Sequence, residues 1–123
     1  FDYIQMIRRE GVRVNTGALG MAASMAGILL QAGETRWVGK ECWVLIHEAS
    51  FGAGGKTFEV EDQVLWVKKV QERILNIFAE RAAKKSGKQA KAIRALIKKN
   101  WERRDWWLDS DECERLGIVD EVR

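Results

Sequence analysis

Apolar positions recur at Phe1, Ile4 and Ile7 ahead of the charged pair Arg8-Arg9, a spacing that predicts a helix over the first nine residues. Gly11 ends it, and Val12-Arg13-Val14 alternates as a short strand. From Ala22 to Ala32 nearly every position is apolar or small, which predicts a helix buried on all faces and stopped at Gly33. Trp43-Val44-Leu45-Ile46 is a compact β-prone run, a buried strand that delivers His47 at its end. FGAGG, Phe51 to Gly55, has almost no side chains and reads as a loop.

The longest periodic pattern runs from Glu59 to Lys85. Val60, Val64, Val67, Ile74 and Phe78 recur at helical spacing, while Glu61, Asp62, Lys68, Lys69, Glu72 and Arg73 take the opposite side. Unbroken, such a helix spans roughly 40 Å at 1.5 Å per residue, so it is expected to project from the body or pack on another subunit. Ser86-Gly87 breaks it, and a second amphipathic helix follows with Ala90, Ile93, Ile97 and Trp101 on its inner face. Asp109 or Ser110 can cap a last short helix, with Glu112 spaced for a capping box on Asp109. Gly117 ends that helix and Ile118-Val119 closes as a strand. Helices alternating with short strands place the chain in the α/β class.

At 123 residues the chain suits one domain. Its 46% apolar and 32% charged residues match a soluble globular protein. The main apolar run, Gly17 to Leu30, is 14 residues long and interrupted by Ser24; crossing a bilayer takes roughly 20. No signal-peptide pattern is present. Two cysteines, Cys42 and Cys113, make no disulfide framework and point to a reducing compartment. The opening on Phe1, in mid-pattern, reads as a fragment or a processed chain. Charge changes the picture at one place. Ten Lys or Arg fall between Arg81 and Arg104 against a single acid, Glu102, so that stretch carries +9 in a chain of net +3. A basic stripe can meet nucleic acid or an acidic partner, but no aromatic ladder interleaves it and a solvated helix face is the simpler account.

Two residues stand out as chemistry. His47 is the single histidine and sits where an apolar strand meets a glycine-rich loop, a place where scaffolds present reactive groups. No second histidine or paired cysteine gives it metal-ligand company. Ser24, in GMAASMAG, is the lone hydroxyl of a small-residue segment, where it serves packing as readily as chemistry. A serine nucleophile needs a base, a group that orients the base, and donors for the oxyanion. Ser24 at a helix start would have backbone N–H groups beside it, small neighbours would let a carbonyl approach, and His47 could be the base. Residue chemistry alone does not choose the acid among eighteen carboxylates.

GMAASMAGILLQAGE, followed by a strand ending in WVLIHEAS, resembles the Clp protease proteolytic subunit family, in which G-x-A-A-S-M carries the nucleophile and an apolar strand ends in the catalytic histidine. FDYIQMI resembles the helix before the nucleophile strand, GAGGKTFEVED the loop into the long helix that interlocks two rings, and LGIVDEV the closing segment. Counted back from that segment, Arg104-Asp105-Trp106-Trp107-Leu108 falls where the family carries its catalytic aspartate, which points to Asp105; Asp109 and Asp111 lie close by. The resemblance implies a ClpP/crotonase-like ββα spiral superhelix with a projecting handle helix. It implies one protease domain over residues 1–123, without the N-terminal strands and axial region.

The implied activity is serine endopeptidase. Ser24 would be the nucleophile, His47 the general base and acid, Asp105 the residue that fixes the imidazole tautomer, and the Met25 N–H an oxyanion donor. A second donor comes, in the family, from a glycine-rich segment upstream of the helix with which this sequence opens. The fragment is therefore expected to be weak or inactive, since one such donor is worth on the order of 10²–10³ in rate. Phe51, Gly52, Ala53, Gly54 and Gly55 would hold substrate as an added β-strand. No cofactor or metal is implied. Implied partners are unfolded proteins or peptides, further copies in heptameric rings stacked in pairs, and an AAA+ unfoldase, in the cytoplasm; neither membrane nor nucleic acid is expected. Glu48-Ala49 after His47, where the family often has Gln-Pro, the long basic stretch before Asp105 and the six tryptophans are departures. They suggest a remote phage or metagenomic branch. The alternatives are a head-maturation protease acting on phage scaffold or capsid protein, or a catalytically silent structural ring subunit.

Overall fold

A computed structural model describes residues 1–102 and 104–123. Helix α1 (Asp2–Arg9) leads into β1 (Thr16–Ala18) and β2 (Met21–Ala23), then α2 (Met25–Leu30), β3 (Arg36–Val38) and β4 (Trp43–Ile46). The long α3 (Thr57–Ser86), α4 (Ala90–Trp101), β5 (Trp106–Leu108), α5 (Ser110–Leu116) and β6 (Glu121–Val122) complete the order. The class is mixed α/β, with two three-stranded sheets in the orders β1-β3-β6 and β2-β4-β5. The succession β–β–α occurs twice, and its corresponding strands pair in parallel, Thr16 with Arg36 and Met21 with Trp43. β5 runs antiparallel to β4, with Ile46 opposite Trp106.

The helices follow the apolar periodicity. α1 spans Asp2–Arg9 as expected, and α3 starts two residues before Glu59, where the Glu59 carboxylate accepts the Lys56 backbone N–H at 2.9 Å. Gly87 ends α3 at φ 72°, a left-handed cap that glycine adopts without strain. The foreseen capping box is present: Asp109 accepts from the Glu112 N–H at 2.8 Å and Glu112 accepts from the Asp109 N–H at 3.1 Å. On α4, Ile93, Ile97 and Trp101 are buried against α3, whose Leu75, Phe78, Ala79 and Ala82 meet them in the core. Each large side chain so buried contributes roughly 1.5–3 kcal/mol.

Three expectations are corrected. Ala22 and Ala23 belong to β2, and the helix expected from Ala22 to Ala32 is the six-residue α2. A parallel strand between covered faces is as uniformly apolar as a buried helix, so the run conceals the switch. Val12–Val14 and Ile118–Val119 are not strands; the strands lie just downstream, at Thr16–Ala18 and Glu121–Val122. There the Arg36 side chain draws the closing segment onto β3. Its guanidinium, 1% exposed, meets Asp120 at 2.8 Å and donates to the Ile118 carbonyl at 3.0 Å and to Gln31 at 2.7 Å.

The N-terminal half of α3 leaves Phe58, Leu65 and Trp66 exposed, and its first buried residue is Val67. The basic stripe is only partly a solvated face. Arg94 pairs with Glu72 across the α3–α4 contact, and Arg81 donates to the Gly33 carbonyl at 2.5 Å. Arg103, one of the ten cations, lies outside the described residues. Cys42 and Cys113 are free and buried; burial raises both thiols, Cys113 to about 12. Among the described residues no helix is long and apolar enough to cross a membrane.

Candidate active site

The β2–β4 pairing builds the site. Ala23 lies beside Leu45 in parallel register, so Ser24, next after Ala23, and His47, two residues beyond Leu45, leave the same end of the sheet. The Ser24 N–H donates to the Leu45 carbonyl at 3.3 Å, which pins the turn to β4. Ser24 is the N-cap of α2 yet makes no side-chain capping bond, so its hydroxyl is left for another partner. Among the described residues it is the one non-glycine with positive φ, at 55°. A non-glycine residue held there costs of order 1–3 kcal/mol and persists where its surroundings over-determine it.

That strained turn aims the Ser24 hydroxyl at His47, whose Nε2 is within hydrogen-bond reach of Oγ. The other ring nitrogen, Nδ1, lies 2.7 Å from the Glu48 carbonyl oxygen. A carbonyl only accepts, so in the neutral ring Nδ1 carries the proton and Nε2 presents its lone pair to the Ser24 hydroxyl. This is the tautomer a general base requires. α2 begins at Met25, and the first N–H groups of a helix have no intrahelical acceptor, which leaves the Met25 N–H beside Oγ available for an oxyanion.

Asp105 is not a partner of the ring. It is exposed and precedes β5; continuing the β4–β5 register by one residue sets it across from His47 along the backbone. Ser24 and His47 are thus brought together, Asp105 is brought alongside, and the Glu48 carbonyl holds Nδ1. Asp109 is committed to capping α5, and Asp111 is exposed in the first turn of that helix. Both are occupied or turned elsewhere.

A cavity of about 260 Å³ opens beside Oγ, with Met25, Ile28, Leu45, Ile74 and Phe78 as its apolar walls. Ile74 and Phe78 lie four residues apart on one face of α3, a spacing visible in the sequence though its destination was not. The loop lends Ala49 and Ser50 to this cavity, and residues 51–55 are not part of its lining. Gln63 instead donates to the Gly54 carbonyl at 3.3 Å, tying the loop to α3.

The family model for Clp protease matches residues 1–123. The ATP-dependent Clp protease proteolytic subunit 2 of Bacillus licheniformis is 32% identical over 111 residues, 89% of this chain. The chain covers 54% of that relative, about half its length. With the family pattern matched from end to end, this chain belongs to the Clp protease family.

Proposed function

We propose that the chain carries the catalytic site of a Clp-type serine endopeptidase. The observation that carries this proposal is the Ser24–His47 pair, a hydroxyl on a strained turn facing an imidazole whose Nδ1 is already satisfied. Ser24 Oγ attacks the peptide carbonyl as His47 Nε2 takes its proton. The same nitrogen then returns a proton to the leaving amine, and water reverses the sequence on the acyl-enzyme. The Met25 N–H stabilises the oxyanion. Asp105 supports His47 once a side-chain movement brings it to Nδ1 in place of the Glu48 carbonyl. The substrate residue ahead of the scissile bond fills the apolar cavity, so uncharged aliphatic or aromatic side chains are preferred there. Residues Phe51 to Gly55 flank the substrate as an extended strand.

The two β–β–α repeats are turns of a ββα spiral in this account. The exposed apolar half of α3, with Phe58, Leu65 and Trp66, is the handle through which copies assemble into stacked rings in the cytoplasm. An unfoldase would then supply the substrate, or a phage scaffold or capsid protein would itself be the substrate. A structural ring subunit is the second reading, favoured by the Nδ1 bond to a backbone carbonyl rather than a carboxylate. Fluorogenic peptides differing only in the residue before the scissile bond separate the two. Cleavage after leucine or methionine but not aspartate, lost in Ser24→Ala, supports the protease; no cleavage by a folded oligomer with the upstream segment restored supports the structural subunit.

A further inference from the structure

Away from Ser24, a second cavity of about 230 Å³ collects most of its lining charge from cations. Arg8 comes from α1, Arg36 from β3, and Arg81, Lys84 and Lys85 from the last turns of α3, against two carboxylates, Glu34 and Asp120. The carboxylates do not balance them. Both Asp120 oxygens are taken by Arg36, Oδ1 by Nη2 at 2.8 Å and Oδ2 by Nε at 3.0 Å and by the backbone N–H at 2.7 Å. Glu34 lies 3.9 Å from the exposed Arg13. Arg8 and Arg81 are left donating to backbone carbonyls, of Ala32 at 3.0 Å and of Gly33 at 2.5 Å. Arg81 Nε is buried and, among the described residues, has no acceptor.

An orphaned buried donor of a guanidinium is costly unless a partner arrives, and here several like charges converge with it. Burial first, then the nearby Arg36 and Arg8, holds the Arg81 guanidinium below its ordinary range, with Asp120 opposing them. The geometry points to an oxyanion-binding site that takes a phosphoryl group, held by Arg81 and Arg8 and closed by Lys84 and Lys85. A phosphoryl group fits better than a carboxylate. It carries about two charges and three acceptor oxygens, enough for donors arriving from two helices, and arginine forks match its geometry. The cavity has the volume of about eight waters, room for the group and part of what bears it. It lies at the far end of α2 from Ser24, since Gly33 and Glu34 follow that helix. Occupancy therefore braces α1, α3 and the end of α2 without contact with the nucleophile.

The test uses the whole chain with three probes, inorganic phosphate, phenyl phosphate and malonate, each against sodium chloride of equal ionic strength. Saturable binding of phosphate by calorimetry, with a rise in Tm beyond the chloride control, is expected. Equal affinity for both phosphates indicates the free ion, and tighter binding of phenyl phosphate indicates a group carried on a larger molecule; both sustain the site. Arg81→Gln should weaken binding about tenfold per charge-assisted bond lost. Lys84 and Lys85 are exposed, so a Lys84→Gln/Lys85→Gln protein keeps its fold and should also bind at least several-fold more weakly. No phosphate effect beyond chloride, an unchanged response in the Lys84→Gln/Lys85→Gln protein, or malonate binding as tightly as phosphate would each overturn the assignment.

Discussion

Replacing Asp120 with alanine should be among the most damaging single changes outside the site. Arg36 is 1% exposed and Asp120 23%, so the pair is largely out of water. Truncation leaves Nε and Nη2 of a buried guanidinium without acceptors, together with the Arg36 N–H, while only the Nη1 bonds to Gln31 and Ile118 survive. Removing one partner of a buried ion pair costs about 3–5 kcal/mol because the other charge stays buried and uncompensated. Set against a total stability of roughly 5–15 kcal/mol, that is about a fifth or more of the whole. With a urea m-value near 2 kcal/mol/M the unfolding midpoint should fall by about 2 M. The assay is urea unfolding followed by circular dichroism, with wild type and variant required to share one m-value. The companion is Arg36→Met/Asp120→Ala, which removes both charges and should recover most of the loss. A loss below about 1 kcal/mol in Asp120→Ala, or a double variant no better than the single, would refute the claim that a stranded guanidinium sets the cost.

The same carboxylate sets a pH dependence. Burial alone would raise Asp120, but its hydrogen bonds to Arg36 and the charge of Arg36 outweigh that and hold it below the ordinary aspartate range. The folded state then binds this proton less readily than the unfolded one. The contribution is therefore fully present above the unfolded value of about 3.9 and fades as pH falls through the depressed folded value. Asp120→Asn should flatten the stability profile below about pH 4; an unchanged acid limb contradicts this. Gly117→Ala should destabilise by at least 1 kcal/mol in thermal unfolding, because φ is 79° and a Cβ would lie 2.6 Å from the Ala82 carbonyl oxygen. Asp105→Asn should lower peptidase kcat, by up to about 10⁴, with stability nearly unchanged. Asp109→Asn should keep activity, and Asp109→Ala should lose about 0.5–2 kcal/mol of α5 capping. The reverse pattern would move the third catalytic role to Asp109.

What the sequence disclosed was whatever depends on local repetition. α1, α3, α4 and the Asp109–Glu112 box follow from side chains three or four residues apart, and β4 from a run too β-prone to be anything else. β1, β2, β3 and β5 have three residues each and no period to detect; they exist because distant segments pair. The start of α2 was missed because Ala22-Ala23 suits a covered strand and a buried helix equally. What separates the two is the turn at Ser24. Ser24 and His47 were legible from motif and position, and their juxtaposition needed the β2–β4 register. Two features had no local signal at all: the Glu48 carbonyl on Nδ1, and the convergence of Ile74 and Phe78 on the Ser24 cavity from an element 50 residues further on.

The central claim is that Ser24 is a nucleophile activated by His47. Its most direct test is covalent labelling by a fluorophosphonate, on the chain with the upstream segment that supplies the second oxyanion donor restored, read by intact mass and peptide mapping. The account predicts a single adduct on Ser24, absent in Ser24→Ala and strongly slowed in His47→Gln. A folded protein that takes up no label, or carries it on another residue, would contradict it.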